Sequence, residues 1–212
     1  MATYDLEEQE KIDELKSWWE SYGTVAIVVV ATFIAGIVGT QAWSHYQKQQ
    51  IEQAAELYVS LQRVEESGDP KKISDAASLL VEGFPASGYA PRAALVSARA
   101  SFDAGDMQNA RNRLQWVLDH TKEDELKDLV RLRLAGLLLD EKKYDEALKL
   151  TESKHSESFS GLYADRKGDI LTAAGKIAEA RVAYQMAIDR INVNSAYNNV
   201  IQMKLDALAE AK

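Results

Sequence analysis

No charged residue occurs between Glu20 and Lys48, and residues 23–43 are almost wholly apolar. About 20 apolar residues, at about 1.5 Å each, cross a hydrocarbon core of roughly 30 Å as an α-helix. Aromatic residues with a polar edge prefer the two membrane–water interfaces, and this segment is flanked by Trp18, Trp19, Tyr22, Trp43 and Tyr46. We therefore predict one transmembrane helix, residues 23–46, after a short tail, residues 1–22.

The same segment has two other interpretations. A cleaved signal peptide needs a basic start and a short apolar core, whereas the residues before this segment are acidic and its apolar run is longer. A buried helix of a soluble domain rarely runs this far without a charge and with aromatic residues at both ends. The membrane span is therefore favoured, and residues 47–212 are numerous enough for one domain with its own core.

The charge of the chain is concentrated in its tail. Residues 1–20 hold seven acidic and two basic residues, so −5 of the net charge of −8 lies there and −3 lies in the remainder. No basic stripe is present, which argues against nucleic acid as a partner. The chain has no cysteine, which excludes disulfides and thiolate metal sites. Lys11 and Lys16 precede the span and Lys48 follows it, so the positive-inside rule slightly favours a cytoplasmic N-terminus.

Beyond the span, Ala- and Leu-rich segments with helical periodicity alternate with short turns, and no strand pattern occurs. Three helical hairpins align when their turns are superposed: residues 89–119, 126–151 and 159–188. A less regular fourth hairpin is predicted before them, from helices at 47–66 and 73–81. A last helix, residues 196–209, would cover the open end of the stack.

Each aligned hairpin carries a small residue on both helices. On the second helices these residues are Ala110, Ala147 and Ala180. The matching residues on the first helices lie twelve positions earlier and are, in the same order, Ala98, Ala135 and Gly168. Antiparallel helices approach closely where both carry small side chains. The second-helix alanines are 37 and 33 residues apart, which resembles the tetratricopeptide repeat of about 34 residues. In the middle hairpin, Lys142 replaces the turn glycine of the other two.

The predicted fold class is therefore all-α. It comprises a single N-terminal transmembrane helix, then a tetratricopeptide-like α-solenoid of three to four helical hairpins with a C-terminal capping helix. In such stacks the first helix of each hairpin lines a concave surface. On this chain that surface has an apolar centre with basic and acidic ends, and suits an extended peptide or a partner helix. Its candidate residues are Arg92, Leu95, Arg99, Phe102, Leu129, Leu132, Leu139, Leu162, Asp165 and Asp169. The alternative, that residues 129–139 are covered by a neighbouring hairpin or the capping helix, stays open.

The sequence contains no recognisable catalytic motif. The three histidines lie far apart, and neither a zinc-protease motif, a serine-hydrolase elbow nor a phosphate-binding loop is present. Asp165 and Asp169 stand four residues apart and could bind metal or act as acid and base, but beside Arg166 they are interpreted as part of a solvated or groove-lining face. We predict no enzyme, no cofactor and no metal.

Small residues recur at every fourth position of the span. Such spacing lets a second helix approach closely. The candidate contact residues are Ala31, Ala35, Gly36 and Gly39.

The order of an acidic tail, one span and irregular repeats resembles the YfgM-like ancillary subunits of the bacterial Sec translocon. The matching stretches are LKxxVxLRLA from Leu126, ADxxGD from Ala164 and IQMKL from Ile201. The resemblance implies a non-enzymatic inner-membrane protein with a cytoplasmic N-terminus and periplasmic repeats. It implies as partners the SecYEG translocon, a PpiD-type periplasmic chaperone, exported polypeptides and the lipid bilayer. Two alternatives remain: an assembly scaffold for another cell-envelope complex, and a cytosol-facing repeat adaptor with reversed topology.

Overall fold

The structure is a computed structural model that describes residues 3–191 and 195–210. Residues 1–2 of the predicted tail and residues 192–194 and 211–212 of the predicted repeat domain lie outside these ranges. Within them the chain forms α-helices and one short 3-10 turn, residues Glu157–Phe159, and no strand, which confirms the all-α prediction. The helices are α1 (Thr3–Glu65), α2 (Pro70–Gly83), α3 (Tyr89–Asp103), α4 (Met107–His120), α5 (Asp124–Asp140), α6 (Tyr144–Thr151), α7 (Ser160–Ala173), α8 (Ile177–Arg190) and α9 (Ala196–Glu210).

The chain divides into two compact units, Met1–Glu52 and Gln53–Lys212. In the first unit, α1 is the one helix of the described residues that is long and apolar enough to cross a membrane. Its apolar side chains are exposed, for example Val25, Phe33 and Val38. A helix that is apolar on all sides needs an apolar environment, and within the described residues this stretch is almost wholly exposed.

The second unit begins with a hairpin formed by the end of α1 and by α2. Ala54 and Leu61 of α1 are fully buried in one cluster with Ala77 and Leu80 of α2. Helix α2 starts three residues before the predicted position, because the carboxylate of Asp69 accepts hydrogen bonds from the first free N–H groups of the helix. Pro70 is the first residue of the helix, where the N–H group that proline lacks would have no partner within the helix.

Three further hairpins follow, α3 with α4, α5 with α6 and α7 with α8, and all three turn in the same way. The turn residue has a positive φ in each: 81° at Gly105, 60° at Lys142 and 76° at Gly175. The N–H of the next residue reaches back to a carbonyl of the first helix at 2.8 Å in every case, as in a Schellman motif. The lysine thus adopts the turn that glycine forms in the other two hairpins.

The small residues of the hairpins are buried as predicted, with one difference in the third. Ala98 and Ala110 share one cluster, and Ala135 and Ala147 share another. At Gly168, however, the neighbour is the ring of Tyr184, which a Cβ on Gly168 would meet at 2.5 Å. The large ring of α8 therefore fills the space that the missing side chain leaves.

The hydrophobic clusters join each hairpin to the next. One of them contains residues of α2, α3, α4 and α5, among them Val81, Leu95, Leu114 and Val130. Helix α9 packs against α8 and completes the last cluster with the buried side chains of Ile201 and Leu208. The second unit is therefore a stack of four hairpins closed by a capping helix, as the sequence predicts.

Candidate partner-binding site

A cavity of about 600 Å³ lies in the second unit, between the end of α1 and the first helices of the three regular hairpins. Part of its lining is apolar and includes Leu95, Phe102 and Leu137. Four arginines also line it: Arg92, Arg99, Arg133 and Arg166. Among the residues that the structure describes, Glu65 is the one acidic residue of the lining, so the lining itself carries a net positive charge.

Three of these arginines, Arg92, Arg99 and Arg166, are paired with carboxylates that do not line the cavity. Arg92 makes a two-pronged contact with Glu123 at 3.1 and 3.0 Å. The Nε of Arg99 donates to Asp103 at 2.7 Å, and this hydrogen bond raises the pKa of Arg99. Arg166 lies 3.6 Å from Asp169.

Arg133 is the exception. It makes no hydrogen bond or ion pair with any residue that the structure describes. Arg133 is exposed where it lines the cavity, yet partial desolvation and, after it, the neighbouring positive charge of Arg99 lower the pKa of Arg133. The cavity thus contains an uncompensated guanidinium next to a second one.

Gly136 lies beside the guanidinium group of Arg166 in the cavity. A Cβ on Gly136 would lie 3.4 Å from a terminal nitrogen of Arg166 and 3.5 Å from its Cζ. The planar guanidinium group therefore lies over the backbone of α5 at a distance where a Cβ on Gly136 would be in ordinary van der Waals contact with it.

The residues predicted for the groove separate into two groups. Arg92, Leu95, Arg99 and Phe102, all on α3, line the cavity. The four leucines of α5 and α7 do not. Leu132 is buried, Leu139 packs against the α5–α6 cluster, Leu129 is half-buried, and Leu162 is 37% exposed.

Asp165 and Asp169 form an ionic network with the capping helix. Lys204 of α9 donates to both carboxylates at 2.8 Å. The hydroxyl of Tyr197 donates to Asp165 at 2.6 Å, and that of Tyr184 donates to Asp169 at 2.9 Å. Burial raises the pKa of both tyrosines. The acidic end of the predicted groove is therefore occupied by the chain itself.

A second buried carboxylate, Asp128, ties α5 to the segment before α7. It accepts hydrogen bonds from Arg131 at 3.0 Å and from the backbone N–H of Ser156 at 2.9 Å. The hydroxyl of Tyr163 donates to its backbone carbonyl at 3.2 Å, and the ring of Tyr163 stacks on His155. These contacts link α5 to the segment before α7, so the role of the cluster is to join adjacent hairpins.

Comparison with known proteins identifies the architecture. The family model described as Tetratricopeptide repeat-like domain matches residues 16–210. The chain belongs to the tetratricopeptide repeat-like domain family. The tetratricopeptide-like stack predicted from the sequence is thereby confirmed. A solved structure, MamA from residue 41 to its end from Desulfovibrio magneticus RS-1, resembles this repeat chain with a TM-score of 0.54 at 18% identity. The match covers 76% of this chain and 92% of MamA, and it supports the fold alone.

Several curated proteins are similar to this tetratricopeptide repeat-like chain over nearly its whole length. They include proteins of Neisseria gonorrhoeae, 29% identical over 96% of this chain and 98% of the relative, and of Haemophilus influenzae, 29% identical over 87% and 90%. The protein of Escherichia coli is 25% identical over 95% and 97%. All three are named Ancillary SecYEG translocon subunit, which confirms the resemblance inferred from the sequence.

Sequence reasoning missed two of the four cavity arginines of this tetratricopeptide-like unit. Arg133 and Arg166 each stand two residues before the small residue of their first helix, at Ala135 and Gly168. The register of the repeat could have found them, since Val96 holds the same position before Ala98 and also lines the cavity.

Neither a metal site nor a contact of the span is seen directly. Among the residues that the structure describes, no group of three or more His, Cys, Asp or Glu side chains could hold a metal ion. In the span, Ala31 and Ala35 are exposed, and a Cβ on Gly36 or Gly39 would meet nothing within 4 Å. Association of this helix with another one stays a prediction.

Proposed function

We propose that this protein is a non-enzymatic ancillary subunit of the Sec translocon, a membrane-anchored scaffold that binds other proteins. The observation that carries the proposal is the similarity to ancillary SecYEG translocon subunits over both the apolar helix and the repeats. A stack of helical hairpins with a basic, partly apolar cavity is suited to binding polypeptides.

The proposed location is the inner membrane of a bacterial cell, with a single span. Residues 1–22 would form the cytoplasmic tail, residues 23–46 the span and residues 47–212 the periplasmic repeat domain. Lys11 and Lys16 before the span support this orientation. The test is a reporter enzyme fused after Lys212 that is active only in the periplasm. An inactive reporter beside an active cytoplasmic one would establish the reversed, cytosol-facing topology.

The proposed partners are the SecYEG channel, a PpiD-type periplasmic chaperone and exported polypeptides, with the surrounding lipid. The test is affinity purification of the full-length, tagged protein from membranes dissolved in a mild detergent. We expect SecYEG subunits and the chaperone in the eluate. Recovery of neither contradicts the proposal, and a different stable partner would favour an assembly scaffold for another envelope complex.

Photocrosslinking in cells locates the contact surface. A photoreactive residue at Phe102 faces the cavity, whereas one at Val182, which is 65% exposed on α8, serves as the matched control. We expect adducts with a translocon or chaperone subunit from Phe102 and none from Val182. Adducts that form equally from both sites would mean that the cavity is not the contact surface.

A further inference from the structure

We propose that the cavity binds an acidic, extended segment of a partner polypeptide, and that Arg133 is the residue that takes the partner's carboxylate. The inference rests on the proposed function, since it names the class of segment that the scaffold would bind.

The charges of the cavity support an acidic partner. Within the described ranges, four arginines and one acidic residue, Glu65, line it. Glu123, Asp103 and Asp169 compensate three of those arginines from outside the cavity. Arg133 has no such partner within the part of the chain that the structure describes. A carboxylate entering the cavity would supply that missing partner.

The neighbour of Arg133 strengthens this argument. Arg99 and Arg133 line the same cavity, and partial desolvation followed by the charge of Arg99 lowers the pKa of Arg133. A carboxylate bound there would relieve the repulsion as well as form hydrogen bonds of its own. The planar guanidinium group can hold both oxygens of one carboxylate, which fixes its orientation.

The apolar part of the lining indicates which side chains of the partner segment would lie beside its bound carboxylate. Leu95, Phe102 and Leu137 provide apolar surface within the same cavity. The cavity volume of about 600 Å³ is large enough to hold a few side chains of a bound peptide. An extended segment that alternates acidic and apolar residues offers both kinds of side chain to this mixed lining. Nucleic acid is disfavoured, because the chain after residue 20 still carries a net negative charge of −3.

The test uses the full-length protein in a non-ionic detergent and two fluorescent peptides with blocked ends. One peptide alternates Glu and Leu over nine residues, and the other has Gln in place of each Glu. Fluorescence anisotropy measures their affinities. We expect the Glu peptide to bind and the Gln peptide to bind at least tenfold more weakly, because hydrogen bonds between charged groups are stronger than those between neutral ones.

The variant Arg133→Gln should weaken binding of the Glu peptide by about tenfold or more. The matched control is Arg181→Gln on α8, an exposed arginine outside the cavity that also makes no hydrogen bond or ion pair with described residues. It should leave the affinity within about twofold, as expected for an exposed charge far from the ligand. Arg133→Lys should give an intermediate affinity, since it keeps the charge but loses the planar fork.

Equal binding of the two peptides would overturn the inference, as would equal effects of Arg133→Gln and Arg181→Gln. Circular dichroism of each variant verifies the fold, and the exposure of Arg133 makes misfolding of its variants unexpected. The proposed function has a separate readout. If SecYEG co-purifies with the protein but the Glu peptide does not bind, the inference alone fails. If the peptide binds and SecYEG is absent, the proposed function alone fails.

Discussion

The ammonium group of Lys204 lies 2.8 Å from a carboxylate oxygen of Asp165, a residue 39 positions earlier in the chain. The side chain of Asp165 is only 5% exposed, so its charge depends on partners within the protein. Lys204 joins α9 to α7 through this contact and through Asp169. The capping helix is thus attached by ion pairs as well as by apolar packing.

Removal of Lys204 should loosen the capping helix. Breaking a buried ion pair costs roughly 3–5 kcal/mol, because the remaining charge is left without compensation. Lys204 is itself 29% exposed, so Lys204→Met should lower the free energy of unfolding by about 2–3 kcal/mol. Urea unfolding of the full-length protein in detergent, followed by circular dichroism, measures it. The control, Met203→Ala, changes a 71% exposed neighbour and should have little effect.

Replacing Lys142 with glycine should stabilise the second regular hairpin. Lys142 has a φ of 60°, a conformation that is costly for a residue with a Cβ and free for glycine. We expect Lys142→Gly to raise the free energy of unfolding by up to about 1 kcal/mol. The control is Lys176→Gly in the third regular hairpin. Lys176 follows the turn residue Gly175 and has a φ of −87°, so this change should not raise the free energy of unfolding. A similar gain from both would refute the conformational explanation.

Gly168→Ala should destabilise the third regular hairpin. The new Cβ would lie 2.5 Å from the ring of Tyr184, and overpacking of this kind costs about 1–3 kcal/mol. The double variant with Tyr184→Leu should lose less than the sum of the two single changes, which a double-mutant cycle measures. Gly83→Ala, where a Cβ meets nothing within 4 Å, is the control. Strict additivity would mean that the ring and the glycine are not coupled.

Tyr163 should make the stability of the fold sensitive to alkaline pH. Burial, followed by the charge of Asp128, raises the pKa of Tyr163 to about 12, whereas an unfolded tyrosine ionises near pH 10. The folded state therefore keeps a proton that the unfolded state loses, and its contribution is present below pH 10 and declines between pH 10 and 12.

The variant Tyr163→Phe tests this dependence. At pH 8 it should unfold more easily than the wild type by about 1 kcal/mol, because the hydrogen bond to Asp128 is lost. Between pH 10 and 12 the difference between the two proteins should shrink. Urea midpoints at pH 8, 10 and 11 measure it, and a difference that stays constant would exclude Tyr163 as the group responsible.

The helices and their register could be predicted because they depend on local patterns that recur along the chain. The apolar run of α1 and the small residues at Ala98, Ala110, Ala135 and Ala147 each identify an element without knowledge of its neighbours. Even the turn at Lys142 follows its glycine counterparts, since the flanking helices require that conformation.

The lining of the cavity could be predicted only in part, because it depends on contacts between hairpins. The spacing of residues along one face of α3 correctly predicted that Arg99 and Phe102 line the cavity. Arg133 and Arg166 were missed because the groove face was assigned one helix at a time, without comparing positions equivalent to Val96 across the repeats. The pairing of Asp165 with Lys204 requires the position of α9, which no local pattern specifies.

A repeat stack offers its last hairpin as a template on which a further hairpin, or a second molecule, can add. Here Lys204 and Tyr197 already hold the carboxylates at that end. Growth of the array by end-to-end addition therefore requires these contacts to be broken first. Polymerisation through the last hairpin is disfavoured, and the open cavity on the side of the stack is left as the place where other chains can bind.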